Sequence, residues 1–500
     1  MIGEPDADAG SRLRFEFWSF REDVHLETSS PGDTVVVYSR WEETYLPLPS
    51  ARVLEALMRM SLGPIALANV ITNDAENREL EVLLKGLKHL VVRSFGLDPA
   101  QPLISVVPLT PQAAFTLPTS LPVRPVRLSR FALISTNGNQ YLIESPLALH
   151  RVILHSPDIM SQLGPLIRPV DPTKVEHLQS VVTYLMAAGM VVQAEGTNPD
   201  GTLVFAEDTD PALISWNPID LMFHTRSTLG RHDHDFGATY PLGERAGVEP
   251  VVKPARKEGA ITLPRPKWNE LLTTDPPFTV AVEAAQNTRS YSEQPMTADE
   301  LGELLYRTTR VRSLTESTDP NSMTSTSDRP YLSSGVSYEL ELYVTAGSCT
   351  GVPRGIYHYD PFDHRLEPIE ADQADLDELL EKGRVEANLT TRPPVILVVT
   401  ARFRRLSWKY DGLGYSLVLK NVGALTQTLS LVSTAMGLAS SGLDSSDIEA
   451  SPRIFGIDWR IESAVGGFAV GHRGPIENAS PPIRAVNDAG WVAQARAKLS

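Results

Sequence analysis

The stretch from about 414 to 438 constrains the fold more than any other. Val418, Val422, Leu425, Leu429, Val432 and Met436 recur at a 4-3-4-3-4 spacing, one stripe of a long helix, and further apolar residues occupy its other faces. A helix that is apolar nearly all round must be enclosed, in a domain core or at a contact between subunits. The run Val395-Ile-Leu-Val-Val399, within Pro394 to Thr400, reads as a fully buried strand, and Glu339 to Thr345 and Val465 to Gly471 read as further strands. Thr297-Ala-Asp-Glu300 has the capping-box spacing that opens a helix over Ala298 to Tyr306. After Val311 the apolar period stops, and Ser313 to Asp328 is polar and helix-poor, a disordered loop or an active-site lid.

The N-terminal half has a different grammar, an internal repeat. Thr34 to Tyr38 with Thr44 to Leu46, and Phe131 to Ser135 with Gln140 to Ile143, read as hairpins, each running directly into a helix. Tyr45, Leu46, Val53, Leu57 and Met58 recur at one offset as Tyr141, Leu142, Leu149, Ile153 and Leu154. After a two-residue slip, Leu80, Leu83, Leu84 and Leu87 recur as Leu178, Val181, Val182 and Leu185, the stripes of matching helices. Short helices are expected at about 64–71 and 158–167, and a wing at Met190 to Ala194 and Thr202 to Phe205. Two winged-helix-like units follow, residues 1–110 and 111–206. Residues 207–275 are rich in Pro, Gly and charge and read as an extended connector before a domain at 276–500. Within it, His224, His232, His234, Asp233 and Asp235 form an acidic His-rich segment read as solvated rather than as a metal site.

Composition narrows the partners. With 45 Lys+Arg against 61 Asp+Glu and a net charge of -16, the chain lacks the positive field that nucleic acid or an anionic membrane attracts, and the third helices of the two repeats are neutral and slightly acidic. One cysteine, Cys349, excludes an internal disulfide and a Cys-rich metal or iron–sulfur site, so redox chemistry needs a bound cofactor. The acidic MIGEPDADAG start and the absence of an eighteen-residue apolar run point to a cytoplasmic, non-membrane protein.

Five segments occur in a telling order: Thr288-Arg289-Ser290-Tyr291-Ser292-Glu293-Gln294-Pro295, Tyr331-Leu332-Ser333-Ser334-Gly335-Val336-Ser337-Tyr338, Gly355-Ile356-Tyr357-His358-Tyr359-Asp360, Lys409-Tyr410, and Gly437-Leu438-Ala439-Ser440-Ser441. Together they resemble the SagB-type peptide dehydrogenases over roughly 210–475. These are flavin enzymes of nitroreductase fold that oxidise azolines in ribosomally made peptides to azoles. The expected fold class is therefore α+β, a nitroreductase-like FMN domain preceded by the two winged-helix-like units.

The resemblance assigns roles by position. Arg289 becomes a clamp on the FMN phosphate, for which a planar, permanently charged fork is suited. Where the family carries Arg-Arg-Ser this chain has Ala285-Gln286-Asn287, so Asn287 offers a neutral hydrogen bond, and Arg473 is the candidate second phosphate partner. Ser333, Ser334, Gly335 and Ser337, and Ser440 and Ser441, are expected to bring backbone donors to the flavin. Lys409 and Tyr410 align with the family's catalytic pair. The chain favours Arg strongly, with 10 Lys among its 45 basic residues, and Lys409 sits beside apolar Leu406 and Trp408. Burial there would lower the lysine toward use as a base, with Tyr410 donating or relaying a proton.

The function expected is FMN-dependent oxidation of azolines in a precursor peptide. Molecular oxygen is the acceptor, a cyclodehydratase the partner, and the N-terminal units the docking elements. The alternatives are a nitroreductase-fold oxidoreductase using NAD(P)H on small molecules, and a winged-helix regulator with a degenerate flavin domain. A homodimer is expected, with Leu425 and Leu429 at its seam.

Overall fold

The computed structural model describes residues 15–29, 32–174, 179–245, 247, 249–255, 258–315, 325–443, 447–475 and 489–499. The chain divides into two compact units, Met1–His234 and Asp235–Ser500.

The first unit holds an antiparallel six-stranded sheet in the order Phe15–Phe20, Val91–Asp98, Gln101–Pro108, His150–Leu154, Gln140–Glu144, Leu133–Asn137. Strands from both sides of residue 110 therefore share one sheet. A smaller sheet joins His25–Thr28, Thr34–Tyr38 and Glu43–Pro47. Both expected hairpins form, Val36 facing Tyr45 and Ser135 facing Leu142. The first runs into the helix Ala51–Leu62, which buries Val53, Ala56, Leu57 and Met60 at helical spacing. The second does not. Residues His150–Leu154 form a strand between Gln140–Glu144 and Gln101–Pro108, because their burial alternates: His150, Val152 and Leu154 point inward while Arg151 and Ile153 are half-buried. A shared apolar spacing thus reads as a helix in one copy and a strand in the other, and the two expected winged-helix units do not emerge as copies of one fold.

The later part of the repeat holds. Helices Asp74–Gly86 and Gln179–Ala187 bury Leu80 and Leu84, and Val181, Val182 and Leu185, while Leu178 lies outside the described residues. The 158–167 segment is helical as Pro157–Gln162 and a 3-10 turn Gly164–Ile167, but 64–71 contains only the 3-10 turn Leu67–Asn69. Val191–Gln193 pairs with Val126–Leu128, and Gly196–Thr197 with Leu203–Val204. In the His-rich segment, Asp233 is held by Arg151 at 3.0 Å and by Arg21 at 3.3 Å.

The second unit is built on a seven-stranded antiparallel sheet in the order Ile261–Thr262, Arg365–Ile369, Gly355–Asp360, Leu340–Ala346, Val395–Arg402, Glu462–Gly471, Ala439–Leu443. The Val395–Arg402 strand is buried on both faces. Val395, Leu397 and Val399 meet the core beneath helices Ala298–Thr309 and Gly414–Ala435, while Ile396 and Val398 face the core under Gln373–Glu386. The expected capping box forms, Thr297 and Glu300 each binding the other's backbone N–H. The 207–275 stretch is not continuously extended, since it includes the helices Pro218–Arg226 and Trp268–Thr274 and the strand Ile261–Thr262. Ser313–Thr315 pairs with Thr326–Asp328, and the centre of that polar stretch, 316–324, lies outside the described residues.

The long helix ends where Gly437 takes a φ of 73°, with Leu438 N–H bonding Ser433 O at 2.9 Å. Its apolar faces are covered within the chain, by the sheet on one side and by Ala298–Thr309 and Phe278–Ala284 on the other. Leu425 and Leu429, expected at a subunit seam, are 1% and 0% exposed in this chain's own core. Tyr415 and Leu419 are the large hydrophobic residues that the helix leaves exposed.

Charge is buried beside this core. The His358 ring lies between two enclosed carboxylates, Nε2 3.1 Å from Glu341 and Nδ1 3.3 Å from Glu367, and Arg402 Nε lies 3.0 Å from Glu341. Burial alone would raise the Glu341 carboxyl, but the Arg402 guanidinium and the His358 hydrogen bond outweigh it and hold it at about 2. Burial likewise opposes the His358 cation, and its hydrogen bonds to Glu341 and Glu367 overcome that and raise its pKa.

Two outcomes are expected. Leu429→Ala should cost about 2–5 kcal/mol in chemical denaturation of the full chain, because it opens a cavity in a packed core. Glu341, depressed from 4.5 to about 2, contributes stability that is present above pH 4.5 and lost as pH falls through about 2. The melting temperature should therefore drop over that interval, and Glu341→Gln should be less stable at neutral pH with a shallower acid decline.

Candidate flavin site and proton-transfer pair

The residues singled out from sequence fall into two clusters in the second unit. The first gathers around the segment 287–292, which is bound on both sides. Asn287 bridges in parallel to Ser440, Thr288 N–H donates to Ser440 O at 2.9 Å, and Ser441 Oγ donates to Thr288 O at 2.8 Å. On the other side Tyr291 bridges to Arg473, Ser292 N–H donates to His472 O at 3.0 Å, and Gly474 N–H donates to Ser290 O at 3.2 Å. Gly474 permits this approach, because a Cβ there would stand 2.6 Å from Ser290 Oγ.

Ser440 and Ser441 are strand residues, 4% and 2% exposed, paired with Val470 and Ala469. They bolt the 287–292 segment to the sheet rather than forming a free turn. The same bolting carries Asn287, Arg289 and Arg473 on hydrogen-bonded neighbouring segments, and all three are exposed. The Arg289 and Arg473 guanidinium groups have no acceptor among the described residues, so both charges are available to an anion. That donor set, two planar cationic forks and a neutral amide, fits the phosphate of FMN.

The second cluster is the loop Ser333–Tyr338 with the turn Lys409–Tyr410. Lys409 Nζ donates to Gly335 O at 3.3 Å and lies 5.4 Å from the Tyr410 ring centroid. Gly335 has a φ of 72°, and a Cβ there would collide with the Tyr410 hydroxyl, so glycine is required for the loop to sit against the phenol. Lys409 and Tyr410 are both half-buried, and burial raises the Tyr410 hydroxyl above its ordinary pKa, which keeps it protonated as a donor at neutral pH.

Residues the sequence reading did not single out hold this arrangement. Asn421, 1% exposed in the middle of the long helix, accepts from Ser334 N–H at 2.8 Å and donates to Glu339 at 2.9 and 3.3 Å and to Ser333 Oγ at 3.4 Å. Arg405 donates twice to Ser337 O, at 3.1 and 2.9 Å, and to Glu249 O at 2.9 Å. Thr239 and Tyr240 N–H groups both donate to Lys409 O at 3.1 Å, and the Tyr240 ring meets Trp408 edge-on at 4.9 Å. An asparagine interrupting an apolar helical stripe between Val418 and Leu425 was the legible signal for the first of these. A backbone tie such as that of Thr239 leaves no mark in sequence.

Among the described residues no helix is long and apolar enough to cross a membrane. Residues 126–233 match the cyanobactin oxidase ThcOx family, and residues 284–472 match the nitroreductase family. A protein designated a nitroreductase in Methanocaldococcus jannaschii is 26% identical over 153 residues, 31% of this chain and 71% of that one. The trifolitoxin-processing protein TfxB of Rhizobium leguminosarum bv. trifolii is 29% identical over 144 residues, 28% of this chain, and the match spans 38% of TfxB. The E. coli microcin synthetase McbBCD complex, solved with truncated pro-MccB17 bound, aligns at 20% identity and a TM-score of 0.32, covering 53% of this chain and 95% of that one. The chain therefore carries a segment like the cyanobactin oxidases, residues 126–233, followed by a nitroreductase-family domain, residues 284–472, which contains Arg289 and the Lys409–Tyr410 turn.

Proposed function

We propose that the chain oxidises azoline rings in a ribosomally made peptide to azoles. The observation that carries this reading is the Lys409–Tyr410 turn, fixed against the carbonyl of Gly335 by Lys409 Nζ at 3.3 Å, in the same domain as the exposed Arg289 and Arg473. Aromatising the ring removes one hydride and one proton, and FMN, when bound, accepts the hydride. Arg289, Arg473 and Asn287 hold its phosphate. The proton leaves a ring carbon and falls to the chain's own groups: Lys409 takes it, and Tyr410, kept protonated by burial, donates a hydrogen bond to the ring nitrogen or relays the proton. The Ser333–Ser337 loop orients both.

The partners belong to the same reading. An azoline is made by dehydrative closure of Cys, Ser or Thr onto the preceding carbonyl, so a cyclodehydratase must act before this enzyme. Molecular oxygen reoxidises the cofactor, and the unit ending at His234 docks the precursor or the partner enzyme. The exposed Tyr415 and Leu419 of the long helix, rather than Leu425 and Leu429, are the residues available for a homodimer contact. Such a protein works in the cytoplasm.

Lys409→Ala and Tyr410→Phe should keep the flavin absorbance bands and lose turnover, read by mass spectrometry as absence of the two-hydrogen mass loss per ring on a thiazoline-bearing peptide. Wild-type conversion by either variant would reject its role. Arg289→Ala and Arg473→Ala should each weaken FMN binding by about tenfold or more, as expected for loss of one charge-assisted contact, measured by fluorescence titration of the apoprotein.

A further inference from the structure

Among the described residues, five that are not glycine have left-handed backbone: Tyr240 (52°), Val336 (54°), Tyr338 (43°), His364 (58°) and Asn388 (50°). Three of them lie in the two segments that touch Lys409–Tyr410. Val336 is the most opposed by its side chain, since a β-branched residue rarely adopts positive φ. A loop in this state persists only where its surroundings over-determine it.

The ties are specific. Ser334 N–H is held by Asn421 Oδ1, Tyr338 N–H by Ser333 Oγ at 3.1 Å, and Ser337 O by the Arg405 fork. Of the three, Asn421 has an orientation that is itself imposed. Its amide nitrogen is committed to the two oxygens of Glu339, which is 0% exposed, and a side-chain amide whose nitrogen faces a carboxylate must turn its oxygen the other way. That oxygen is the acceptor for Ser334 N–H. Between Ser334 and Val336 sits Gly335, whose carbonyl receives Lys409 Nζ.

We propose that Asn421, oriented by Glu339, is a positioning residue that keeps the strained Ser333–Tyr338 loop closed so that the Gly335 carbonyl fixes the Lys409 amine. It touches neither substrate nor cofactor and acts through the loop. The proposal rests on the assignment of Lys409 to the proton transfer.

The test uses the full-length, FMN-loaded protein. In Asn421→Ala, amides of 334–338 should exchange with deuterium about tenfold faster or more, while elements away from the loop keep wild-type protection. Turnover of a thiazoline-bearing peptide should fall on the order of 100-fold in kcat, the scale expected for a misplaced catalytic group, with KM little changed. In a Lys409→Ala background, Asn421→Ala should cause no further loss in single-turnover rate, because the two act in series. Asn421→Asp keeps an acceptor for Ser334 N–H but sets a second carboxyl against Glu339. It should lose activity progressively as pH rises, and it serves if the alanine variant fails to accumulate. Unchanged exchange at 334–338 with an inactive Lys409→Ala enzyme would overturn this proposal alone. Equal losses from Asn421→Ala in both backgrounds would do the same. Wild-type turnover by Lys409→Ala would remove the catalytic assignment and the proposal with it.

Discussion

A carboxyl group with no contact with water has to be compensated from within the fold, and the enclosed Glu339 organises its neighbourhood for that reason. Burial raises its pKa, and the Asn421 amide is the first interaction working against that rise. Supplying that amide places a polar residue inside the long, largely apolar helix, and its other end reaches the Ser333–Tyr338 loop. The candidate catalytic turn then rests on the loop. One buried acid thus links helix, strand and loop into a single hydrogen-bonded chain.

A second compensation operates a few residues away. Arg402 and Arg405 are 4% and 7% exposed, and both direct guanidinium N–H groups at carbonyls of the Glu249–Val251 stretch. Lys253 adds bonds to Tyr343 and Glu462 at 2.7 and 2.6 Å. A segment poor in regular structure is thereby held to the sheet by buried cations, which need its carbonyls as much as it needs their donors. Thr239 and Tyr240, which bind the Lys409 carbonyl, precede this stretch in the sequence.

The legible part of this protein was the part written in side-chain periodicity. The buried strand around Leu397, the Thr297–Glu300 cap and the long helix all follow from local pattern, and so do the two hairpins. The pattern misled at His150–Leu154, where apolar residues suit helical or alternating burial equally and the partner strands on both sides decide the matter. It misled again at Leu425 and Leu429, because an all-round apolar helix does not say whether its cover comes from the same chain. At the candidate site, the order of short motifs singled out Lys409, Tyr410, Arg289 and the Ser333–Ser337 loop, and the fold brings Lys409 and Tyr410 against that loop. Asn421 and Arg405 act through long-range contacts, Asn421 reaching 82 residues back to Glu339, and only the folded chain brings these partners together.

The grip on Lys409 from the other side is made by main-chain N–H groups of residues 239 and 240. A main-chain donor carries no chemical signature of the side chain attached to it. Any substitution that tolerates the local geometry preserves the tie, while proline at either position removes a donor, and the left-handed φ of Tyr240 further disfavours β-branched residues there. Side chains around the Lys409–Tyr410 turn can therefore diversify while the turn keeps its place. At position 240 an aromatic ring that is 42% exposed stands beside Trp408, so a different side chain there changes the surface next to the turn while the main-chain N–H still holds the Lys409 carbonyl.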